Sequence, residues 1–414
     1  MVKSDSAAVK KPAANSVDSS SVRNINRIAR RATAVHSGQT HGLSKQSLDR
    51  GDSGKHPYSV AESPLLTKAW KFADLLSEAA VRERWEKVRK YFFLRESTYD
   101  MTTRCNMRCD GCYYYNGEKQ FAQENLDPKA WHGLFRKEKD RGITFVVLAG
   151  AEPSLVPDLL QACYEEIPLG CIATNGLKRV PETIGYKIHV SVWGNDETSY
   201  RVRKAKSLLT RQIDNYRGDP RAVFVYTFCR NTIDEAYEVS EILASHNCKL
   251  TFNVFSAPQG YAGDLVHTPE TLDKTRHVMT DLMERYPESV LFSYYNVMAH
   301  THRSSLYQLF SCPYPRMNPS TALGLGRSFR QYRSDLTWDR DAACCVPDTV
   351  CDDCRHYAAG SSIVTSRLNR HTGAPEIFKS WLDYVDTYLA VWVKGYDKGE
   401  NLCSHLEHPP EAQL

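Results

Sequence analysis

Between Phe92 and about Ser256 short apolar runs alternate with amphipathic stretches, and this alternation narrows the possible folds more than any other feature of the chain. The strand-like runs are Phe93–Tyr99, Thr144–Leu148, Cys171–Thr174, Lys187–Val192, Ala222–Thr227 and Lys249–Phe255. Between them the apolar spacing predicts helices over Pro128–Arg141, Val156–Glu166, Thr198–Tyr216 and Ile233–His246. Strands that alternate with helices build βα units and a parallel sheet. Six such strands predict an α/β fold, a partial (β/α)6 barrel of the TIM-like kind with a C-terminal Cys-rich extension. Barrels of this kind carry their chemistry at the C-terminal ends of the strands, where every motif described below falls.

The 414 residues divide into four stretches. Residues 1–60 hold eleven Ser and a single aromatic, Tyr58, too little apolar surface to offset ordering entropy, so a disordered tail is expected. Ten Lys/Arg against four Asp/Glu make that tail basic, while the whole chain is only +4. The remainder is therefore close to neutral, which gives no case for a nucleic-acid partner. The start, with Arg30 and Arg31, also matches an organelle transit peptide. Asp5 and Asp18 count against that, and a solvated tail on a cytoplasmic protein is the expectation. Residues 61–92 read as an N-terminal helical segment, with Leu65, Trp70, Phe72, Leu75, Leu76, Ala79 and Val81 near helical spacing. Residues 93–300 form the barrel, with a helix near Pro269–Tyr286 and a short strand near Val290–Phe292. Residues 301–414 hold the Cys-rich region and a last helix, Pro375–Tyr396, whose Phe378, Trp381, Leu382, Val385, Leu389 and Trp392 are expected to pack in the core. No run is long and apolar enough for a membrane span.

Thirteen cysteines without an apolar export signal favour metal or redox chemistry over disulfides. Cys163, Cys171, Cys229, Cys248 and Cys403 are scattered and expected to pack as small buried groups. Cys105-Asn-Met-Arg-Cys109-Asp-Gly-Cys112 is different: a C-x3-C-x2-C run directly after the first predicted strand. Three thiolates on a tight loop can hold three irons of a [4Fe-4S] cluster and leave the fourth iron open to an external ligand. A zinc site is the competing reading of the loop taken alone.

This loop resembles the signature of the radical S-adenosylmethionine (SAM) superfamily. The resemblance extends over about residues 93–258. Gly150-Ala151-Glu152-Pro153 looks like the family's Gly-Gly-Glu-Pro motif, with Ala151 in place of the second Gly. By that resemblance the strand end at Gly150 and the Glu152 carboxylate accept hydrogen bonds from the SAM amino group. Asn175, in Thr174-Asn175-Gly176, and Ser191 match the ends of the third and fourth strands, Ser191 near the SAM carboxylate or ribose. Asn231, in Thr227-Phe-Cys-Arg-Asn231, is implied at the ribose hydroxyls. An aromatic often precedes the third Cys in the family; Gly111 stands there, and Tyr113, Tyr114 and Tyr115 follow. One of them stacks on adenine, or all three are ordinary packing. The implied chemistry is reductive cleavage of SAM at the cluster, giving a 5′-deoxyadenosyl radical that takes a hydrogen atom from substrate. It also implies a protein electron donor such as flavodoxin or ferredoxin.

Cys312, the pair Cys344-Cys345, and Cys351-Asp-Asp-Cys354 form a second group. Its position after the barrel resembles the auxiliary-cluster extensions called SPASM and twitch, and the cysteine count suits the shorter twitch form. A second [4Fe-4S] cluster on Cys312, Cys345, Cys351 and Cys354 is expected, Cys345 being chosen over Cys344 because it shortens the loop to Cys351. Structural zinc is the alternative. An auxiliary cluster can accept an electron, which favours net oxidation of a small molecule by an oxidoreductase. A peptide- or protein-modifying maturase is the second reading, and a non-catalytic metal-binding protein the third. No catalytic base stands out among the Tyr, Arg, Asp and Cys at strand ends. His300 and His302, in a predicted loop, and His405 and His408 lack ligand spacing and are expected at the surface.

Overall fold

In the computed structural model of the chain the described residues are 71–115, 123–258, 260–302, 330–338, 355 and 374–402. They begin with two short helices, α1 (Phe72–Leu75) and α2 (Ala79–Val88), followed by a single 3-10 turn at Arg89–Tyr91. The continuous N-terminal helical pattern is thus interrupted at Leu76–Glu78. Strand β1 (Glu96–Asp100) comes next, then α3 (Pro128–Asp140), β2 (Phe145–Ala149), α4 (Pro157–Glu166), β3 (Gly170–Thr174) and β4 (Lys187–Val192). The predicted helix Thr198–Tyr216 is two helices, α5 (Asp196–Arg203) and α6 (Leu208–Tyr216). Lys204 and Ser207 between them adopt left-handed backbone, φ 59° and 49°. β5 (Ala222–Phe228), α7 (Glu235–Ser245), β6 (Leu250–Val254), α8 (Pro269–Arg285) and α9 (Tyr294–Thr301) complete the series, followed by β7 (Gln331–Tyr332) and α10 (Pro375–Trp392).

The sheet order is β6-β5-β4-β3-β2-β1-β7, and every pairing is parallel. The first six strands therefore lie side by side in chain order, the winding of a (β/α)6 barrel and not of a doubly wound sheet. Among the described residues β1 pairs on its far side with β7, a two-residue strand that the sequence pattern does not signal. The predicted strand at Val290–Phe292 is a single parallel bridge, Leu250 with Val290, on the edge of β6.

Register separates two faces. Val146, Leu148, Ile172, Ile188, Val190, Phe224, Tyr226, Leu250 and Phe252 share one face, buried under the helices. The opposite, lumen face carries Ala173, Ser191, Val225 and Asn253, all incompletely covered. Helix starts follow local chemistry. Asp127 caps α3 through the Lys129 N–H with Pro128 at the first position. Thr268 and Thr271 form a reciprocal capping box at α8.

Helix α10 packs Phe378, Trp381, Leu382, Val385, Leu389 and Trp392 into the core. Trp381 and Phe378 lie against Trp85 of α2, and Trp392 meets His189 of β4 edge to face at 4.6 Å. Cys163, Cys171, Cys229 and Cys248 are buried free thiols. His300 is a correction to the sequence reading. It lies on α9, is 2% exposed, and its Nδ1 sits 3.2 Å from the Arg355 carbonyl. His302 is half-buried; His405, His408 and Cys403 lie outside the described residues. No helix of the described residues is long and apolar enough to cross a membrane.

Candidate functional site at the C-terminal ends of the strands

The cysteine loop that leaves β1 is held from three sides. Glu124 gathers its first residues: one carboxylate oxygen accepts from the Thr102 hydroxyl and from the Thr103 N–H at 2.7 Å, the other from Arg104 Nε at 2.9 Å. These donors hold the Glu124 carboxyl below its ordinary range although burial opposes them. Met107 then inserts beside Ala205 and Leu208, which Cys105 and Cys109 also touch. The Met107 N–H donates to Cys105 Sγ at 3.4 Å. On the far side the Asp110 N–H donates to Val202 O at 2.8 Å, and Lys204 Nζ reaches Asp110 Oδ2 at 3.1 Å. Gly111 takes φ +66°, and a Cβ there would sit 2.8 Å from the Phe255 ring. No side chain fits at that place, and Phe255, from the end of β6, fills the space.

Cys105, Cys109 and Cys112 are all half-buried and free. Burial pushes the Cys105 thiol up to about 11, with the Met107 N–H opposing, and raises Cys112 as well. Among the described residues no three His, Cys, Asp or Glu side chains converge on a point that could hold a single metal ion. A cubane instead asks each thiolate to reach its own iron. The donors around the sulfurs suit such a group: the Met107 N–H on Cys105, Asn175 Nδ2 at 3.7 Å from Cys105, and Arg203 Nε at 3.5 Å from Cys109.

The Gly150–Pro153 segment reaches the loop through backbone and carboxylate. Gly150 has φ +115°, and a Cβ would stand 2.8 Å from the Met101 nitrogen, so only glycine fits. The Ala151 N–H donates to Thr102 O at 3.0 Å. Glu152 is 1% exposed, and its carboxylate accepts from the Ser154 N–H at 3.0 Å, Thr174 Oγ1 at 2.7 Å and the Asn175 N–H at 2.7 Å. In this structure it ties the end of β2 to the end of β3. Asn175 carries the link onward, donating through Nδ2 to Asn106 Oδ1 at 2.7 Å inside the cysteine loop. The Ser191 carbonyl accepts from Arg203 Nη1 and from Gln212 Nε2 at 2.8 Å, while its side chain faces the lumen.

Cys105, Cys109, Glu152, Asn175 and Ser191 thus belong to one hydrogen-bonded group across β1 to β4. Asn231, just beyond β5, lies outside that hydrogen-bonded group: its Nδ2 donates to Asp264 Oδ2 at 3.1 Å and its buried Oδ1 has no partner among the described residues. Tyr114 is buried, while Tyr115 donates to Thr103 O at 3.1 Å and lies under the Arg108 guanidinium. Cys312, Cys344, Cys345, Cys351 and Cys354 lie outside the described residues. Arg203, Gln212 and Glu124 escape sequence reasoning, since none sits in a motif. The sequence pattern puts Arg203 and Gln212 on one helix, whereas the structure places them on α5 and α6, either side of the break.

No protein-family model matches the chain, and no curated protein does. Solved structures similar to it include Streptococcus suis SuiB bound to S-adenosylmethionine, at 16% identity over 61% of this chain and 62% of that one, TM-score 0.43. Native anSMEcpe with bound AdoMet and Cp18Cys peptide matches at 13% identity over 61% and 74%, TM-score 0.42. The FeFe-hydrogenase maturase HydG from Carboxydothermus hydrogenoformans matches at 11% over 77% and 83%, TM-score 0.33. The chain spans 62% of the length of the SuiB chain.

Proposed function

We propose that the chain is a radical SAM enzyme, with a [4Fe-4S] cluster on Cys105, Cys109 and Cys112. The observation that carries this reading is the hydrogen-bonded path Glu152–Asn175–Asn106, which fixes the cysteine loop to the ends of β2 and β3. When bound, a reduced cluster and SAM supply a 5′-deoxyadenosyl radical for hydrogen-atom abstraction. The protein's own part is placement. Glu124 and the Val202–Lys204 segment hold the loop at either end, and Gly150 lets the β2 end approach the backbone after β1. Asn175 orients Asn106, which directly follows Cys105. The lumen face with Ser191 and Asn253 offers polar groups to a small-molecule substrate beneath the loop. Gly150, Glu152, Ser191 and Asn231 are proposed around SAM, Glu152 with one lone-pair direction beyond its three internal donors.

A second [4Fe-4S] cluster on Cys312, Cys345, Cys351 and Cys354 is part of this reading. Arg355, the residue after Cys354, supports it. Its N–H donates to Ser256 Oγ at 2.7 Å just beyond β6, and its guanidinium to the His300 and His302 carbonyls at 3.0 and 2.7 Å. The Cys351–Cys354 pair therefore leads into a residue fixed at the same end of the sheet as the first cysteine loop. An electron acceptor there favours net oxidation, with a one-electron donor protein serving the first cluster.

Anaerobic reconstitution tests the reading. About eight irons per chain, and 5′-deoxyadenosine on adding dithionite and SAM, are expected. Cys105→Ala, Cys109→Ala and Cys112→Ala should each reduce that product to background. Replacing Cys351 and Cys354 should remove about four irons and spare SAM cleavage. Bound zinc in place of iron, with no 5′-deoxyadenosine, overturns the proposal.

A further inference from the structure

Arg203 is a buried cation that no carboxylate of the described residues balances. It is 4% exposed, and among the described residues no carboxylate lies within ion-pair distance of it. Its guanidinium instead meets Cys109 Sγ through Nε at 3.5 Å, the Ser191 carbonyl through Nη1, and the Trp193 ring at 5.5 Å. Buried charges in proteins are paired or ligated, because desolvating an isolated one is costly. A guanidinium held this way faces a thiol that becomes anionic on binding metal.

The placement is built from the helix and not from the loop. Val202, Arg203 and Lys204 are consecutive and all grip the Cys109–Asp110 step: carbonyl to the Asp110 N–H, Nε to Cys109 Sγ, Nζ to Asp110 Oδ2. At its other end α5 is tied to α7. The Asn195 N–H and Nδ2 donate to Glu235 and Glu238 at 3.3 and 3.0 Å, and Thr198 Oγ1 donates to Glu235 at 2.5 Å. The cation is thereby set beside the sulfur before any cluster arrives.

We propose that Arg203 is a positioning residue that raises the reduction potential of the cluster through Sγ of Cys109. The inference rests on the radical SAM reading above. With three thiolates a [4Fe-4S]2+ core carries a net charge of about −1. Uptake of one electron from a reductant takes it to about −2, with no bond made or broken. A fixed guanidinium with an N–H···S bond stabilises the more negative state, so the cluster is easier to reduce with Arg203 than without it.

The test is an EPR-monitored redox titration of the reconstituted full chain without SAM or substrate, on wild type, Arg203→Lys and Arg203→Met. Arg203→Met should keep the wild-type iron content and lose about tenfold in the ratio of reduced to oxidised cluster at fixed potential, a 59 mV negative shift for one electron. Arg203→Lys, which keeps a charge and an N–H donor, should fall between. An Arg203→Met midpoint equal to wild type at equal iron overturns the inference while leaving the enzyme reading intact. A wild-type chain that takes up no cluster overturns both. Should Arg203→Met lose iron, Arg203→Gln keeps a donor and drops the charge; its midpoint must also fall, and an unmoved one overturns the inference.

Discussion

Two buried arginines show how differently the two ends of this molecule use charge. Arg84, on α2, is 7% exposed and fully answered. Nη1 lies 3.1 Å from both Asp383 Oδ1 and Asp386 Oδ2 of α10, and Nη2 donates to Glu400 O at 2.5 Å. The carboxylates are answered in turn. Asp386 accepts from Tyr396 at 2.5 Å and the Gly399 N–H at 2.7 Å, and Asp383 from the Leu402 N–H at 2.9 Å. Arg203, as buried as Arg84, has a thiol, a carbonyl and a ring. A closed network serves the fold, since the guanidinium meets carboxylates that are themselves hydrogen-bonded within the chain. An open one leaves the guanidinium without a carboxylate among the described residues, which is the ground of the proposal for Arg203.

The largest effect on stability follows from the closed network. Arg84→Met leaves Asp383 and Asp386 buried with the half-exposed Lys87, 3.4 Å from Asp386, and the half-buried Lys398 as countercharges. Breaking a buried pair from one side costs about 3–5 kcal/mol, which urea unfolding should show as a lower midpoint at unchanged slope. A cost under about 1 kcal/mol would erase the contrast between the two arginines.

His189 sharpens the same contrast by pH. Its Nε2 donates to Val391 O at 2.9 Å, its ring stands edge-on to Trp392, and burial pushes its pKa down to about 4. The unfolded chain takes this proton near pH 6.5 and the folded chain does not until about pH 4. Stability is therefore flat above pH 6.5 and falls as pH drops between the two values. The share of His189 is about 2 kcal/mol by pH 5. Urea midpoints at pH 7.5 and 5 should separate less in His189→Gln than in wild type. An equal separation would show that the C-terminal helix does not seal this histidine.

What the sequence reveals follows the same division. Strands β2 to β6 are legible because their buried face is apolar at every second residue, as with Phe224, Tyr226 and Phe228. The cysteine loop and Gly150–Glu152 are legible because chemistry fixes residue types at short spacing. The α5–α6 break is not: Lys204 and Ser207 adopt left-handed backbone that tertiary contacts impose, and neither is Gly or Asn. β7 is two residues long and pairs with β1 across more than two hundred residues of chain, beyond any local pattern. His300 reads as a loop residue in the sequence, since the partner that buries it, Arg355, is fifty-five positions away. Arg203 and Gln212 were hidden for a related reason: their acceptors, Ser191 O and Asn175 O, are backbone atoms with no sequence signature.

The smallest expected effect is the most direct check on the comparison. In the cluster-free chain Arg203→Met should change unfolding stability by less than about 1 kcal/mol in either direction. Removing this guanidinium strands no carboxylate, and the Ser191 carbonyl keeps Gln212 Nε2 as a donor at 2.8 Å. What is lost is two hydrogen bonds, to the Cys109 sulfur and to the Ser191 carbonyl, and a ring contact. What is gained is relief from desolvating an unbalanced charge, and the two oppose each other. Cysteine-loop tethering survives through the Asp110 N–H to Val202 O and the Lys204–Asp110 pair. A loss of several kcal/mol, equal to that of Arg84→Met, would mean that the protein itself balances Arg203. The cation would then belong to the fold, and the case for an anionic group beside Cys109 would lose its physical ground.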